Sequence, residues 1–244
     1  MVMNLLEELK EKFRTGDILT RLLFINGGVF VFTLLLDITF TLFSFGENKF
    51  AYIVLNYPWK PILLLYRPWT IVTSMFTSWG LWHMLFNMLI LYWLGSIFLR
   101  YFTSNALRGL YIMGGITGMV VFTGVFLLFP SLQKKEWLDC MPLCSACILA
   151  FCTALAFRAP NNTEPIPLIG PVKIKYIVIV LALIDLAILP YANPATDVAH
   201  FGAAAIGWLF CRMLKKGKDM TAPITAIVIW LDSLIHKKRI QDKR

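Results

Sequence analysis

Residues 80–99 read GLWHMLFNMLILYWLGSIFL, a run of 20 residues that contains no Asp, Glu, Lys or Arg. A helix of about 20 residues is as long as the ~30 Å hydrocarbon core of a bilayer is thick. The run is continuously apolar, whereas a strand of a membrane barrel is shorter and alternates apolar with polar residues. The stretch therefore predicts a membrane-spanning helix, in which the polar side chains of His83 and Asn87 stand out.

Similar apolar runs occur on both sides of this stretch. Hydrophobic residues make up 58% of the chain and charged residues 15%, compared with about half and about a quarter in a soluble domain. The predicted spans are residues 22–44, 80–99, 109–129, 141–157, 174–190 and 196–212. The sequence thus predicts an all-α membrane protein, a bundle of six transmembrane helices whose last three are near the lower length limit.

The distribution of basic residues predicts the orientation of the bundle. The chain has 23 basic residues and a formal net charge of +9. If the N-terminus is cytoplasmic, 18 of the 23 lie on the cytoplasmic side of the spans and 5 on the outer side. Basic residues in short loops favour the cytoplasm, so we expect both termini there. No clustered basic face is visible, so we expect the lipid bilayer, and no nucleic acid, among the partners.

The chain divides into three predicted regions. Residues 1–20 predict a cytoplasmic amphipathic segment, and residues 21–216 form the six-helix membrane domain. Residues 217–244 form a cytoplasmic tail that contains an interfacial amphipathic helix. The long outer loop at 46–79 is too apolar for a solvated linker, so we expect it to lie partly in the outer leaflet.

Polar residues in three of the spans share one depth. The second, fourth and sixth spans all begin at the outer side, and His83, Ser145 and His200 each lie among the first residues of their span. Asn87 lies one helical turn after His83, on the same face. A lone serine in a span is usually a packing residue, and a lone histidine near the membrane edge is usually interfacial. Three spans that bring such groups to one level favour a shared site.

A serine and a histidine on neighbouring helices can act as nucleophile and general base, because the imidazole takes the hydroxyl proton. Donors from His83, Asn87 and the backbone N–H of Ser145 could then stabilise an oxyanion. These groups predict acyl transfer, most simply peptide hydrolysis, with Ser145 and His200 as the catalytic residues. This chemistry requires no cofactor and no metal, and we expect neither.

Two other patterns allow different interpretations. Cys144 and Cys147 form a C-x-x-C, which could bind a metal or carry redox chemistry, although buried free cysteines are ordinary small hydrophobic residues. Asp37 and Asp185 lie within apolar spans, where a transporter or channel would use such residues. No internal repeat accompanies them, which disfavours transport. Asp185 could instead pair within the bundle or assist the dyad.

Ridges of small residues recur on the spans that carry the polar groups. They are Ala146, Ala150 and Ala154 on the fourth span, Ala199, Ala203 and Gly207 on the sixth, and Gly114 and Gly118 on the third. Such ridges allow close approach of helix backbones in lipid. We therefore expect the fourth and sixth helices to bring Ser145 and His200 within hydrogen-bond reach.

Several short motifs occur in a fixed order along the chain. They are HMLFN at 83–87, YWLG at 92–95, Ser145 at the start of the fourth span, and AHFG at 199–202 followed by Gly207. With these motifs the chain resembles the bacterial six-span type of the rhomboid family of intramembrane serine proteases, over about residues 20–214. The resemblance implies a Ser145–His200 dyad without a catalytic acid, and an oxyanion hole formed with His83 and Asn87. It also implies transmembrane protein substrates, cut near the outer face of a bacterial inner (plasma) membrane.

The chain departs from the family pattern beside the serine. The family motif G-x-S-G is here Leu143-Cys144-Ser145-Ala146, and Ala203 replaces the first glycine of the motif on the sixth span. The two added methyls are expected to hold the fourth and sixth helices apart and to lengthen the hydrogen bond of the dyad. The altered motif supports an alternative function, a catalytically inactive relative that binds membrane helices without cleaving them.

Overall fold

The computed structural model describes residues 2–43, 50–78, 80–134, 140–166, 170–188 and 194–241, and it is mostly helical. Two short 3-10 turns, Ser74–Phe76 and Leu132–Lys134, supplement the regular elements. In chain order these elements are α1 (Val2–Thr15), α2 (Ile18–Leu42), α3 (Phe50–Leu55), β1 (Tyr57–Pro58), α4 (Ile62–Tyr66), α5 (Thr70–Thr73), α6 (Leu81–Phe98), α7 (Ser104–Leu128), β2 (Cys140–Met141), α8 (Cys144–Arg158), β3 (Thr163–Ile166), β4 (Gly170–Lys173), α9 (Ile174–Ile188), α10 (Pro194–Leu214) and α11 (Ala222–Gln241).

Each predicted span overlaps one long helix. Among the described residues, three helices are long and apolar enough to cross a membrane, namely α2, α6 and α7. Two shorter apolar helices follow, α8 with 15 residues and the part of α9 at Ile174–Ile184. Since α8 is only about 22 Å long at 1.5 Å per residue, it crosses a ~30 Å core only where the bilayer is thinned or its ends are covered by protein. The chain is a helical membrane protein, and the number of six spans remains a prediction.

Two helices begin earlier than hydropathy predicts, because polar caps precede their apolar runs. Asp17 accepts a hydrogen bond of 2.8 Å from the backbone N–H of Thr20, so α2 begins at Ile18 rather than at residue 22. Thr103 accepts one of 3.2 Å from the N–H of Ala106, so α7 begins at Ser104 rather than at residue 109. Hydropathy detects the apolar part of a helix and omits its capped first turn.

The segment before α6 is folded against the rest of the molecule. Strand β1 pairs antiparallel with β2, with Tyr57 opposite Met141. The Arg67 guanidinium donates to the Ile53 carbonyl at 2.7 Å, and the Trp69 indole donates to the Val54 carbonyl at 2.8 Å. These bonds hold the short helices together and position the residues that precede α8. The location of this loop in the outer leaflet stays a prediction.

A small hairpin connects the fourth and fifth of the predicted spans. Strands β3 and β4 pair antiparallel between α8 and α9. Glu164 in β3 forms an ion pair of 2.8 Å with Arg100, just beyond the end of α6. The hairpin is thereby attached to a second helix and sets the start of α9.

The helix predicted in the tail is present and longer than its apolar pattern. α11 runs over Ala222–Gln241, whereas the apolar residues cover 222–235. Its first turn lies against α7, where the Thr225 hydroxyl donates to the Asn105 carbonyl at 3.5 Å. The boundaries of the three predicted regions and the interfacial location of this helix remain predictions.

Candidate active site

Ser145 and His200 lie side by side between α8 and α10. Ser145 lies in the first turn of α8 and His200 in the second turn of α10. The Ser145 Oγ and His200 Nε2 atoms are 2.9 Å apart, an ordinary hydrogen-bond length. Only 4% of Ser145 and 2% of His200 is exposed. The hydroxyl is therefore paired with an imidazole in surroundings from which bulk water is excluded.

The backbone just before Ser145 is fixed by the preceding loop. The N–H of Leu143 donates to the Ser74 carbonyl at 2.7 Å, which ties the start of α8 to the turn before α6. The short pairing of β1 with β2 restrains the same segment two residues upstream. The position of the hydroxyl therefore depends on the loop as well as on α8.

Glycines on two helices let α8 sit in close contact on both sides. On α10, a Cβ added to Gly207 would lie far inside van der Waals distance of the Ala150 carbonyl oxygen and 3.1 Å from the Ala154 nitrogen. On α7, a Cβ added to Gly114 would lie 2.6 Å from the Ala150 methyl. The small-residue ridge of α8 thus packs against α7, while its backbone meets α10.

The expected effect of Ala146 and Ala203 is wrong. The methyl of Ala146 packs toward Gly118 of α7, where an added Cβ would be 3.3 Å away. Ala203 is fully buried. The Ser145–His200 hydrogen bond keeps its ordinary 2.9 Å length, so these two methyls do not lengthen it. A ridge of small residues can face either of the two helices beside it. Here the glycines of α7 accommodate the Ala146 methyl.

His83 and Asn87 lie one turn apart on α6 and are both buried. The Asn87 side chain and Ser145 line the same narrow cavity, with a volume of about 20 Å³, between α6, α8 and α9. The Asn87 amide also makes a long hydrogen bond of 3.4 Å to the Ser78 hydroxyl. The structure thus brings Asn87 beside the nucleophile, and places His83 one turn nearer the start of α6.

A buried polar network beside the site was not predicted from the sequence. Tyr111 on α7 donates to the Met75 carbonyl at 2.8 Å and lies 3.2 Å from the Asn26 amide on α2. The Cys144 thiol lies 3.2 Å from the Asn26 carbonyl oxygen. The residue directly before Ser145 is thereby linked to two other helices. The available signal was Asn26 itself, a costly polar group inside an apolar span.

The cysteines and aspartates do not form a second recognisable centre in the part of the chain described. All five cysteines are buried and free of disulfides. No group of three or more His, Cys, Asp or Glu side chains among the described residues could hold a metal ion. Asp37 lies on α2, and the side chain of Asp185 is outside the described residues. Transport through these aspartates stays the disfavoured alternative.

The chain belongs to the class of intramembrane protease-like proteins, as its match to one family model shows. A model of the Rhomboid domain matches residues 66–217, which is more than half of the chain. The chain belongs to the rhomboid family, whose members are generally serine proteases. The matched range includes His83, Asn87, Ser145 and His200, and it begins after α2. No curated protein matches the chain.

Proposed function

We propose that the chain is an intramembrane serine protease that cleaves single-pass membrane proteins near the outer membrane face. One observation carries the proposal, the 2.9 Å contact between Ser145 Oγ and His200 Nε2. A buried hydroxyl and imidazole at this distance form a nucleophile and its general base without further movement. The family match supports the same chemistry.

In the proposed reaction, His200 Nε2 takes the hydroxyl proton as Ser145 Oγ attacks the carbonyl carbon of the scissile peptide. The resulting oxyanion is stabilised by the Asn87 amide, by His83 and by the N–H of Ser145. The first four N–H groups of a helix have no intrahelical acceptor, and the positive end of the helix dipole lies there. His200 then gives its proton to the leaving amine, and water releases the acyl group by the reverse steps.

Substrate access requires a change in the helix packing. The cavity shared by Ser145 and Asn87 has a volume of about 20 Å³, little more than the ~10–15 Å³ that a single water molecule needs. Ile90 of α6 and Leu181 of α9 form two of its walls. We propose that the substrate enters after these two helices separate, because no extended peptide fits beside Ser145 while they are closed.

A second candidate function is helix binding without cleavage. Leu143 replaces a glycine of the family motif and is fully buried directly before Ser145. Its side chain fills space toward Gly118, at 3.0 Å from an added Cβ there. This replacement beside the nucleophile is the observation that favours recognition of a membrane helix without cleavage.

A fluorophosphonate probe on the detergent-purified chain separates the two functions. We expect covalent labelling of the wild-type protein, because His200 activates the Ser145 hydroxyl, and no labelling of Ser145→Ala. Wild-type protein that is folded by circular dichroism and stays unlabelled would support the inactive relative instead.

We also propose an orientation with both termini in the cytoplasm and a location in the bacterial plasma membrane. The orientation rests on the distribution of basic residues, 18 on one side and 5 on the other. Tags at the two termini test it, since both must be accessible only from the cytoplasm. A C-terminal tag that is exposed outside would require an odd number of spans.

Asn87 provides a graded test of the oxyanion site. We expect Asn87→Ala to lower turnover by about 10²–10³-fold with little change in KM, because the amide acts mainly on charge that develops in the transition state. The measurement is kcat and KM on a single-pass substrate. Asn105→Ala is the matched control, since Asn105 is exposed on α7. If Asn87→Ala instead raised KM and left kcat unchanged, Asn87 would be a substrate-positioning residue.

A further inference from the structure

A large cavity lies beside the proposed active site, not within it. It has a volume of about 470 Å³ and lies between α8, α9 and α10, within the ~300–1,000 Å³ typical of ligand pockets. Its walls include Leu149 and Phe157 of α8, Ala182 of α9 and Phe201 of α10. His200 also lines it, whereas Ser145 lines only the narrow cavity.

The cavity has the depth of about one lipid leaflet. Its wall on α8 runs from Leu149 to Phe157, a rise of roughly 12 Å along the helix, and continues to Pro160 beyond the helix end. Half of the bilayer core is about 15 Å thick. An apolar chain that extends from the hairpin end along this wall therefore covers most of one leaflet, and His200 lines the same cavity.

The end of the cavity next to the β3–β4 hairpin carries a basic residue. Lys175 lines it in the first turn of α9, while Arg158 ends α8 and Lys173 ends β4 close by in the chain. The nearby carboxylate of Glu164 is engaged with Arg100 at 2.8 Å. Basic pockets between transmembrane helices on the cytoplasmic side are typical binding sites for anionic lipid headgroups.

We propose that this cavity binds one acyl chain of an anionic phospholipid, with the phosphate at Lys175 and the end of the chain against His200. A transmembrane helix is the less favoured occupant, because such helices carry Lys and Arg at their cytoplasmic ends and would meet Lys175 with like charge. A bound chain also excludes water from the part of His200 that faces the cavity. The binding step does not depend on catalysis, so failure of the proposed protease activity would leave it unaffected.

The test is a lipid titration of the delipidated full-length protein in detergent, with lipid adducts counted by native mass spectrometry. The probes are phosphatidylglycerol and phosphatidylcholine with identical chains. We expect phosphatidylglycerol to bind more tightly, and Lys175→Gln to weaken it about fivefold, the equivalent of ~1 kcal/mol for one lysine near a headgroup. Lys216→Gln is the matched control, because Lys216 is exposed beyond α10 and does not line the cavity.

Two variants from different walls test the acyl-chain position. Ala182→Phe and Ala204→Phe each fill the cavity, so each should remove phosphatidylglycerol binding, and the second variant guards against a folding defect in the first. Equal affinity of the wild type for the two lipids, or binding retained in both folded Phe variants, would overturn the proposal. So would displacement of the lipid by a synthetic single-pass helix with basic flanks, which would assign the cavity to a protein helix.

Discussion

We expect Ser145→Ala and His200→Ala each to abolish cleavage of a single-pass membrane protein by the purified chain. In the proposed reaction the hydroxyl oxygen is the attacking atom, and at neutral pH it remains protonated unless His200 Nε2, 2.9 Å away, takes the proton. The measurement is product formation from a tagged substrate in proteoliposomes. Ser96→Ala is the matched control, because Ser96 is an exposed serine on α6 that donates to the Tyr92 carbonyl at 2.6 Å.

The double variant distinguishes a catalytic unit from two independent contributions. If Ser145 and His200 act in one proton transfer, their joint replacement costs little more than either single change. Independent structural roles would instead give additive losses, accompanied by lower melting temperatures. Cleavage at the wild-type rate by either single variant would reject the dyad.

The location of the candidate site could be predicted because the order and direction of the spans determine how deep each residue lies in the membrane. Hydropathy places the ends of the apolar runs, and the alternation of span direction then sets which polar residues share a level. That reasoning selected Ser145 and His200, which lie 55 residues apart in the chain and 2.9 Å apart in the structure. It needed no knowledge of how the helices are rotated about their axes.

The sequence could not predict how each helix is rotated about its own axis. The ridge of Ala146, Ala150 and Ala154 was assigned to the contact with α10, but the methyls of Ala146 and Ala150 face glycines on α7. A stripe of small residues allows close contact with either neighbouring helix, so the sequence alone does not determine which of the two it packs against. The link from Asn26 to Tyr111 and Cys144 was missed for a related reason. Its members come from α2, α7 and α8, and only their packing makes them partners.

We expect Gly207→Ala to lower the cleavage rate by about 10²-fold or more and to destabilise the protein. The added Cβ would overlap the Ala150 carbonyl oxygen and approach the Ala154 nitrogen to 3.1 Å. Both are backbone atoms, which no side-chain rotation can move away. α10 must then shift from α8 by about 1 Å to restore van der Waals distances. His200 lies two turns from Gly207 on the same helix, so the hydrogen bond to Ser145 lengthens, and a misplacement of 1 Å costs about 10²-fold in rate.

Gly124→Ala is the control for the same chemical change at a site with open space. Gly124 lies on α7, and an added Cβ there meets nothing within 4 Å. Its rate should equal that of the wild type, and its melting temperature should be equal or slightly higher, because alanine favours helix over glycine by ~1 kcal/mol in soluble hosts. At Gly207 the same gain in helix propensity is opposed by overpacking, which costs about 1–3 kcal/mol in a buried core. If Gly207→Ala kept full activity, α10 would tolerate displacement from α8, and the dyad would be set by the loop before α8 rather than by the contact between the two helices.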